Sequence, residues 1–281
     1  MKGVILAAGY GTRLLPVTKT VPKELLPLVD TPAIQWVVEE FVQSGIRKIL
    51  IVTNRRKRAL EDYFDREVEL EIHLEARGRK DLLAKVEPPE VTISFVRQKE
   101  MLGTADALLC CESFASGDPF VVAHPDDVVL SPPSPAGTLI QTHEKTGKTV
   151  LSLFECEEAE LDHLALVDGD FTEDPIRVRE IVEKPGRENA PSRYGVLGRY
   201  LFTPEIFPAI RALWDDAPDP EGVQPLAINR LAKEGRVVAK VCVGERLDVG
   251  KPLGYLKAIT QVALTRPDLA EPFREYLKGI L

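Results

Sequence analysis

The sequence predicts an α/β fold built on a Rossmann-like mixed, mostly parallel sheet flanked by helices. Short, continuous apolar runs recur at 2–8 (KGVILAA), 48–53 (KILIVT), 91–96 (VTISFV), 119–124 (PFVVAH) and 149–154 (TVLSLF), the pattern of strands covered on both faces. A helical stripe separates the first two: Ile34, Val37, Val38, Phe41 and Val42 fall at i, i+3, i+4, i+7 and i+8, and Ser44-Gly45 supplies a stop. Strand, helix, strand in that order requires crossovers and therefore parallel pairing.

Taken in order, the run at 2–8 opens the sheet, the helix over 31–44 crosses over it, and the four later runs extend it. Further strands are expected at 178–185, 194–202 and 236–243, and helices at 204–214, 224–234, 251–264 and 268–279. The proline-rich stretches SPPSPAG (131–137) and DDAPDPEG (215–222) read as loops too short to link independent domains. One domain over 1–281 is expected, with a first half to about residue 130, a second over about 131–265, and C-terminal helices to 281.

A net charge of −8 and a pI near 5.3 argue against general affinity for nucleic acid or anionic membrane, so an anionic ligand must meet a local basic pocket. No apolar stretch reaches the roughly 18 residues of a membrane span, and the run at 4–8 is too short for a leader. The cytoplasm is the expected compartment. Cysteines at 110, 111, 156 and 242 match no zinc or disulfide spacing and read as buried free thiols, and the histidines at 73, 124, 143 and 163 form no metal motif. The basic run RRKR (55–58) reads as a solvated face, with a subunit contact as its other use.

In open parallel sheets ligands sit beyond the carboxyl ends of the strands, so the turn after the first strand is the place to look. Here it reads AAGYGTR. Gly9 and Gly11 let backbone amides approach an anion and tolerate positive φ. The third glycine of G-x-G-x-x-G is replaced by Leu14, and no G-x-x-x-x-G-K-[ST] occurs, so neither a dinucleotide fingerprint nor a P-loop is supported. Two glycines and some cations are common in loops. Arg13, Lys19 and Lys23 beside this turn nevertheless suit a polyphosphate, whose charge must be neutralised as a bond to phosphorus breaks.

The full string G-x-G-T-R-x-x-P-x-T-K-x-x-P-K-E-x-L-P, at residues 9 to 27, resembles the signature of sugar-phosphate nucleotidyltransferases, in the form found in bacterial UTP:glucose-1-phosphate uridylyltransferases. The similarity continues in order through LVDTPAIQWVVEE (28–40), VRQKEMLGTADALLC (96–110), HPDDVVL (124–130), IVEKP (181–185), VLGRYLF (196–202) and LDVGKPLGYLKA (247–258). The resemblance implies the nucleotidyltransferase fold, a nucleotide-binding first half and a sugar-phosphate-binding second half. It implies in-line attack of a sugar 1-phosphate on the α-phosphorus of UTP, with Mg2+ as cofactor and a homodimer or tetramer as the assembly.

Roles follow from the same resemblance. Leu6, Ala7, Ala8 and Gly9, with Gly11, would form the backbone wall against uracil and the phosphates. Arg13 would hold the departing phosphates and Lys23 the α-phosphate. Gln98 would read uracil, and Gly103 would lie against the nucleoside. Asp126 and Asp248 would be the metal carboxylates, with Asp127 the other possibility in Pro-Asp-Asp. Glu183 and Lys184 would receive the sugar hydroxyls and the 1-phosphate, and Val196 would border the sugar.

Two departures fall in the second half. Leu164 and Ala165 stand where the family commonly has tyrosine and glycine, and in EGVQPLAINRL (221–231) only Gln224 stays comparable. A methyl group at 165 would shift the sugar or narrow the choice of hydroxyl configuration. A dTTP-using enzyme and a noncatalytic sugar-nucleotide sensor are therefore the alternatives to a uridylyltransferase.

Overall fold

Residues 1–130, 132–215 and 219–280 are described by the computed structural model. The strands are β1 (Lys2–Leu6), β2 (Pro27–Leu28), β3 (Thr31–Pro32), β4 (Lys48–Thr53), β5 (Thr92–Arg97), β6 (Phe120–Ala123), β7 (Asp127–Leu130), β8 (Thr149–Glu155), β9 (Ala165–Asp170), β10 (Ile176–Glu183), β11 (Tyr194–Phe202), β12 (Val237–Val241) and β13 (Glu245–Asp248). The helices are α1 (Ala33–Gln43), α2 (Arg58–Phe64), α3 (Val68–Ala76), α4 (Lys80–Val86), α5 (Gly103–Leu109), α6 (Glu112–Ala115), α7 (Pro135–Thr146), α8 (Ile206–Arg211), α9 (Val223–Lys233), α10 (Pro252–Thr265) and α11 (Ala270–Ile280).

Nine strands form one sheet in the order β5-β4-β1-β6-β11-β8-β12-β10-β9. The mixed, mostly parallel character is as expected, since β10 and β11 alone run against the other seven. β11 is the seam: it pairs antiparallel with β6 on one side and β8 on the other, joining the two halves in one sheet. Along β1, Val4 and Leu6 face the layer that holds α5, α8 and α9, while Ile5 and Ala7 face the layer of α1 and α7. Both faces are therefore dry, which is why β1 is apolar throughout rather than alternating.

Some local expectations need correction. Residues 135–137 of SPPSPAG are the first turn of α7, because Ser134 caps it by accepting from the Gly137 amide at 3.0 Å; residue 131 lies outside the described residues. Residues 216–218 of DDAPDPEG also lie outside them, and Pro220–Gly222 form a 3-10 turn. β9, within HLALVDGD, carried no clear strand signal, since its Asp168, Gly169 and Asp170 break the apolar run. The cysteines are all free, as expected, but only Cys111 and Cys156 are buried, Cys110 and Cys242 being partly exposed. No helix among the described residues is long and apolar enough to cross a membrane.

Candidate active site

The segment after β1 folds as three 3-10 turns, Thr12–Leu14, Val17–Lys19 and Lys23–Leu25. Gly11 enters the first with φ 69°, and a Cβ there would meet Thr18 and Lys23 at 3.2–3.3 Å, so the sharp entry requires glycine. Gly9 is exposed, with nothing within 4 Å of where a Cβ would stand. Arg13 projects to solvent from the first turn without a hydrogen bond or ion pair among the described residues. Lys23 on the third turn is largely enclosed and donates to Asp126 Oδ2 at 2.6 Å.

Asp126 sits between β6 and β7. The β7–β13 ribbon pairs Asp127 with Asp248, and the Val249 amide donates to the Asp126 carbonyl at 2.9 Å, so Asp126 and Asp248 share one end of the ribbon. Their convergence is visible at Gly250. A Cβ there would lie 3.0 Å from Asp126 Oδ2 and 3.2 Å from Asp248 Oδ1, a space only glycine leaves open. Asp127 is already committed: Arg246 Nε donates to Oδ1 at 2.8 Å and the Gly198 amide to Oδ2 at 3.1 Å. Of the two aspartates in Pro-Asp-Asp, Asp126 therefore faces the cluster and Asp127 braces the ribbon.

Burial acts against both charges of the Lys23–Asp126 pair, and mutual attraction outweighs it. The Lys23 ammonium is held above its ordinary value, and the Asp126 carboxyl well below the usual carboxylate range. The charge of Arg13 also reaches Lys23 and opposes its protonation, which places the first and third turns in one field. Burial lifts the Tyr200 hydroxyl, helped by Asp127 on one side and Glu183 on the other. Tyr200 on β11 thus feels both the Asp126–Asp127 turn and the end of β10.

Sheet register brings together the candidate residues of the second half. Ala165 pairs with Glu183, and Leu166 pairs with Val182 in β10 and Gly195 in β11, one residue before Val196. Lys184 follows the end of β10 with φ 44°, a left-handed conformation that costs a non-glycine residue about 1–2 kcal/mol. Its amide donates to Leu164 O at 3.2 Å, and its side chain is exposed.

Gln98 is buried after β5. Its Nε2 donates both hydrogens, to Gly103 O at 3.0 Å and Asp106 Oδ2 at 2.8 Å. Both partners are acceptors, so the amide orientation is determined and Oε1 remains to accept. Gly103 adopts φ 84°, and a Cβ there would meet the Glu221 backbone at 3.0 Å. Gln224 is buried in α9, and its Nε2 has no partner among the described residues.

The reading of RRKR as a solvated face fails at Lys57. Arg55, Arg56 and Arg58 are exposed, but Lys57 is buried and donates to Glu24 Oε1 at 2.7 Å, Glu24 Oε2 at 2.8 Å and Ala7 O at 2.7 Å. Asn54 donates to Ala8 O and Arg56 to Lys19 O at 3.0 Å. Lys57 and Asn54 thus hold the backbone that leads into the glycine turn, and Arg56 holds the end of the second 3-10 turn. A basic run beside a predicted strand end was the only local trace of them.

Comparison with known proteins shows what the whole chain is similar to. The Nucleotidyl transferase family model matches residues 2–264. A UTP–glucose-1-phosphate uridylyltransferase of Staphylococcus epidermidis is 39% identical over 282 residues, covering 99% of this chain and 98% of that protein. A solved UTP-bound UGPase from Acinetobacter baumannii has a TM-score of 0.90 at 33% identity, covering 100% of this chain and 99% of the other. A UDP-glucose pyrophosphorylase complexed with UDP-glucose has a TM-score of 0.82 at 35% identity, covering 94% and 99% respectively.

Proposed function

Since this chain belongs to the nucleotidyl transferase family, we infer that it transfers the uridylyl group of UTP to glucose 1-phosphate, giving UDP-glucose and pyrophosphate. The observation that carries this reading is the convergence of Lys23, Asp126 and Asp248 beside the glycine turn. A phosphate oxygen of the sugar attacks the α-phosphorus, the bond to the bridging oxygen breaks, and pyrophosphate leaves with that electron pair. No enzyme nucleophile is needed; the protein positions the reactants and stabilises charge.

Lys23 would leave Asp126 for the α-phosphate, and Arg13, with no partner of its own among the described residues, would meet the departing phosphates. Gln98 Oε1 would accept from uracil N3–H, since both hydrogens of its amide nitrogen are engaged. The carbon at position 5 lies outside that contact, so dTTP has to be tested rather than assumed excluded. Lys184 would meet the 1-phosphate, with Glu183, Ala165 and Val196 around the sugar. The homo-oligomer implied by the resemblance would cover exposed apolar side chains such as Leu253, Leu256, Tyr276 and Ile280 on α10 and α11.

Two carboxylates on one point, without a third acid or a histidine or cysteine to form a larger cluster among the described residues, suit magnesium, which is held by one or two carboxylates and completed by phosphate oxygens and water. Asp126 and Asp248 would hold it, and it would supply charge neutralisation and alignment of the phosphates. Asp126→Asn is expected to raise the magnesium concentration needed for half-maximal activity about tenfold or more, the scale of a lost charged ligand. An unchanged magnesium titration would place the metal elsewhere.

Pyrophosphate release measured with UTP or dTTP against a panel of sugar 1-phosphates tests the reading as a whole. Turnover with UTP and glucose 1-phosphate supports it. A preference for dTTP would change the substrate, and tight UDP-glucose binding without turnover would indicate a sensor. Arg13→Ala is expected to lower kcat about a hundredfold with a modest change in KM for UTP, because its partner charge grows in the transition state.

A further inference from the structure

We propose that Lys57 is a positioning residue: by occupying the Glu24 carboxylate, it keeps the neighbouring Lys23 ammonium available to the phosphate. The proposal rests on the role given to Lys23 above. It starts from the one member of the basic run that turns inward. All three donors of the Lys57 ammonium are directed at acceptors, two on Glu24 and one on Ala7. Glu24 is 1% exposed and Lys57 5% exposed, so neither charge has water to fall back on.

Glu24 immediately follows Lys23 on the turn Lys23–Leu25. A row of alternating charge results, Lys57, Glu24, Lys23 and Asp126; beside its end stands a second carboxylate, Asp248, with Lys251 Nζ 3.5 Å from its Oδ2. The fields of Asp126 and Glu24 both act to keep Lys23 protonated. Two carboxylates therefore compete for one ammonium, and they differ in what binding requires of them. Asp126 is free to release Lys23 once a cation takes its place. Glu24 is sealed away from solvent, and Lys57 is its one ion-pair partner among the described residues. Without Lys57, the nearest cation to an uncompensated Glu24 is Lys23.

The third donor adds a geometric link. By holding Ala7 O at the end of β1, Lys57 ties the backbone wall of the nucleotide site to the turn that carries Lys23. Charge cancellation and simple bracing thus meet in one side chain, and the test must separate them.

The experiment measures kcat, KM for UTP, Tm and the pH profile for wild type, K57M and E24Q/K57M. Lack of uridylyl transfer by the wild type would refute the proposed function itself, not this proposal. K57M is expected to lose roughly ten- to hundredfold in kcat at pH 8, the scale of a displaced charged contact, with KM for UTP less affected. Part of that loss should return towards pH 6. Burial already raises the Glu24 pKa, so protonation in the variant releases Lys23 as pH falls. E24Q/K57M, which has no competing charge, is expected to recover kcat to within about tenfold of wild type. If K57M does not fold, the double variant carries the test alone. The proposal is overturned if K57M keeps wild-type kcat, if its loss is independent of pH, or if the double variant folds poorly or stays as inactive as K57M. Each result would leave Lys57 inert in catalysis or a brace only.

Discussion

Lys23→Met is expected to lower kcat by roughly two to three orders of magnitude, the range seen when one preorganised donor to a developing charge is removed. Methionine keeps the length and apolar stem of lysine, so the change isolates the ammonium. Among the described residues that ammonium has one ion-paired carboxylate, Asp126 at 2.6 Å, with the charge of Glu24 acting on it without a hydrogen bond. The Asp126 side chain is 26% exposed, so water or a cation can cover its charge when Lys23 is gone, and the fold should survive. Steady-state kinetics beside a thermal melt provide the check. A variant with normal kcat would remove Lys23 from the chemistry, and one that is merely unfolded would show it in the melt.

The pH dependence of this pair follows from the shifts. Asp126 is held below the ordinary carboxylate value and Lys23 above the ordinary amine value. The stabilisation from Asp126 is present above its unfolded pKa and disappears as pH falls through the depressed folded one. The Lys23 contribution is present below its unfolded pKa and is lost as pH rises through the raised one. Across the neutral range both groups stay charged.

Arg199→Met is expected to be the most destabilising of the substitutions considered, by about 3–5 kcal/mol, because it strands a carboxylate in the core. Arg199 has no exposed surface and Glu40 is 7% exposed. Arg199 Nε donates to Glu40 Oε1 at 3.2 Å and Oε2 at 3.1 Å, and its terminal nitrogen to Oε2 at 2.9 Å. The other guanidinium nitrogen donates to His124 O at 2.9 Å, and Glu40 Oε1 also accepts from the Ala136 amide at 3.0 Å. One pair therefore locks α1, α7 and β11 to the turn that presents Asp126. Urea denaturation of Arg199→Met should show the loss, and adding Glu40→Leu should restore much of it, since an apolar pair strands no charge. A single-variant loss below about 1 kcal/mol would mean that Glu40 is satisfied without its partner.

Most of the candidate site is legible in the sequence because its signals are local. The glycines, Arg13 and Lys23 lie on one continuous stretch, and Asp126, Asp248, Glu183 and Lys184 each sit in a short string that resembles the family. What escaped is held by partners far apart in the chain. Glu40 and Arg199 are separated by 159 residues and Glu24 and Lys57 by 33, and neither pair leaves a periodicity. Lys57 looked like solvated charge because a run of four basic residues ordinarily is. β9 was missed because its two aspartates and glycine lie on a strand whose burial is uneven.

The sequence by itself determined the sheet-forming runs, the main helices and the glycine turn with its basic neighbours. Each depends on backbone preference and apolar spacing within a few residues. Only the tertiary structure decided which aspartate of Pro-Asp-Asp faces the site, that β11 joins the halves, and that a basic run sends one lysine inward. Those outcomes depend on which charges and carbonyls meet once distant segments pack. Burial then makes each unmet group costly enough to select the partner.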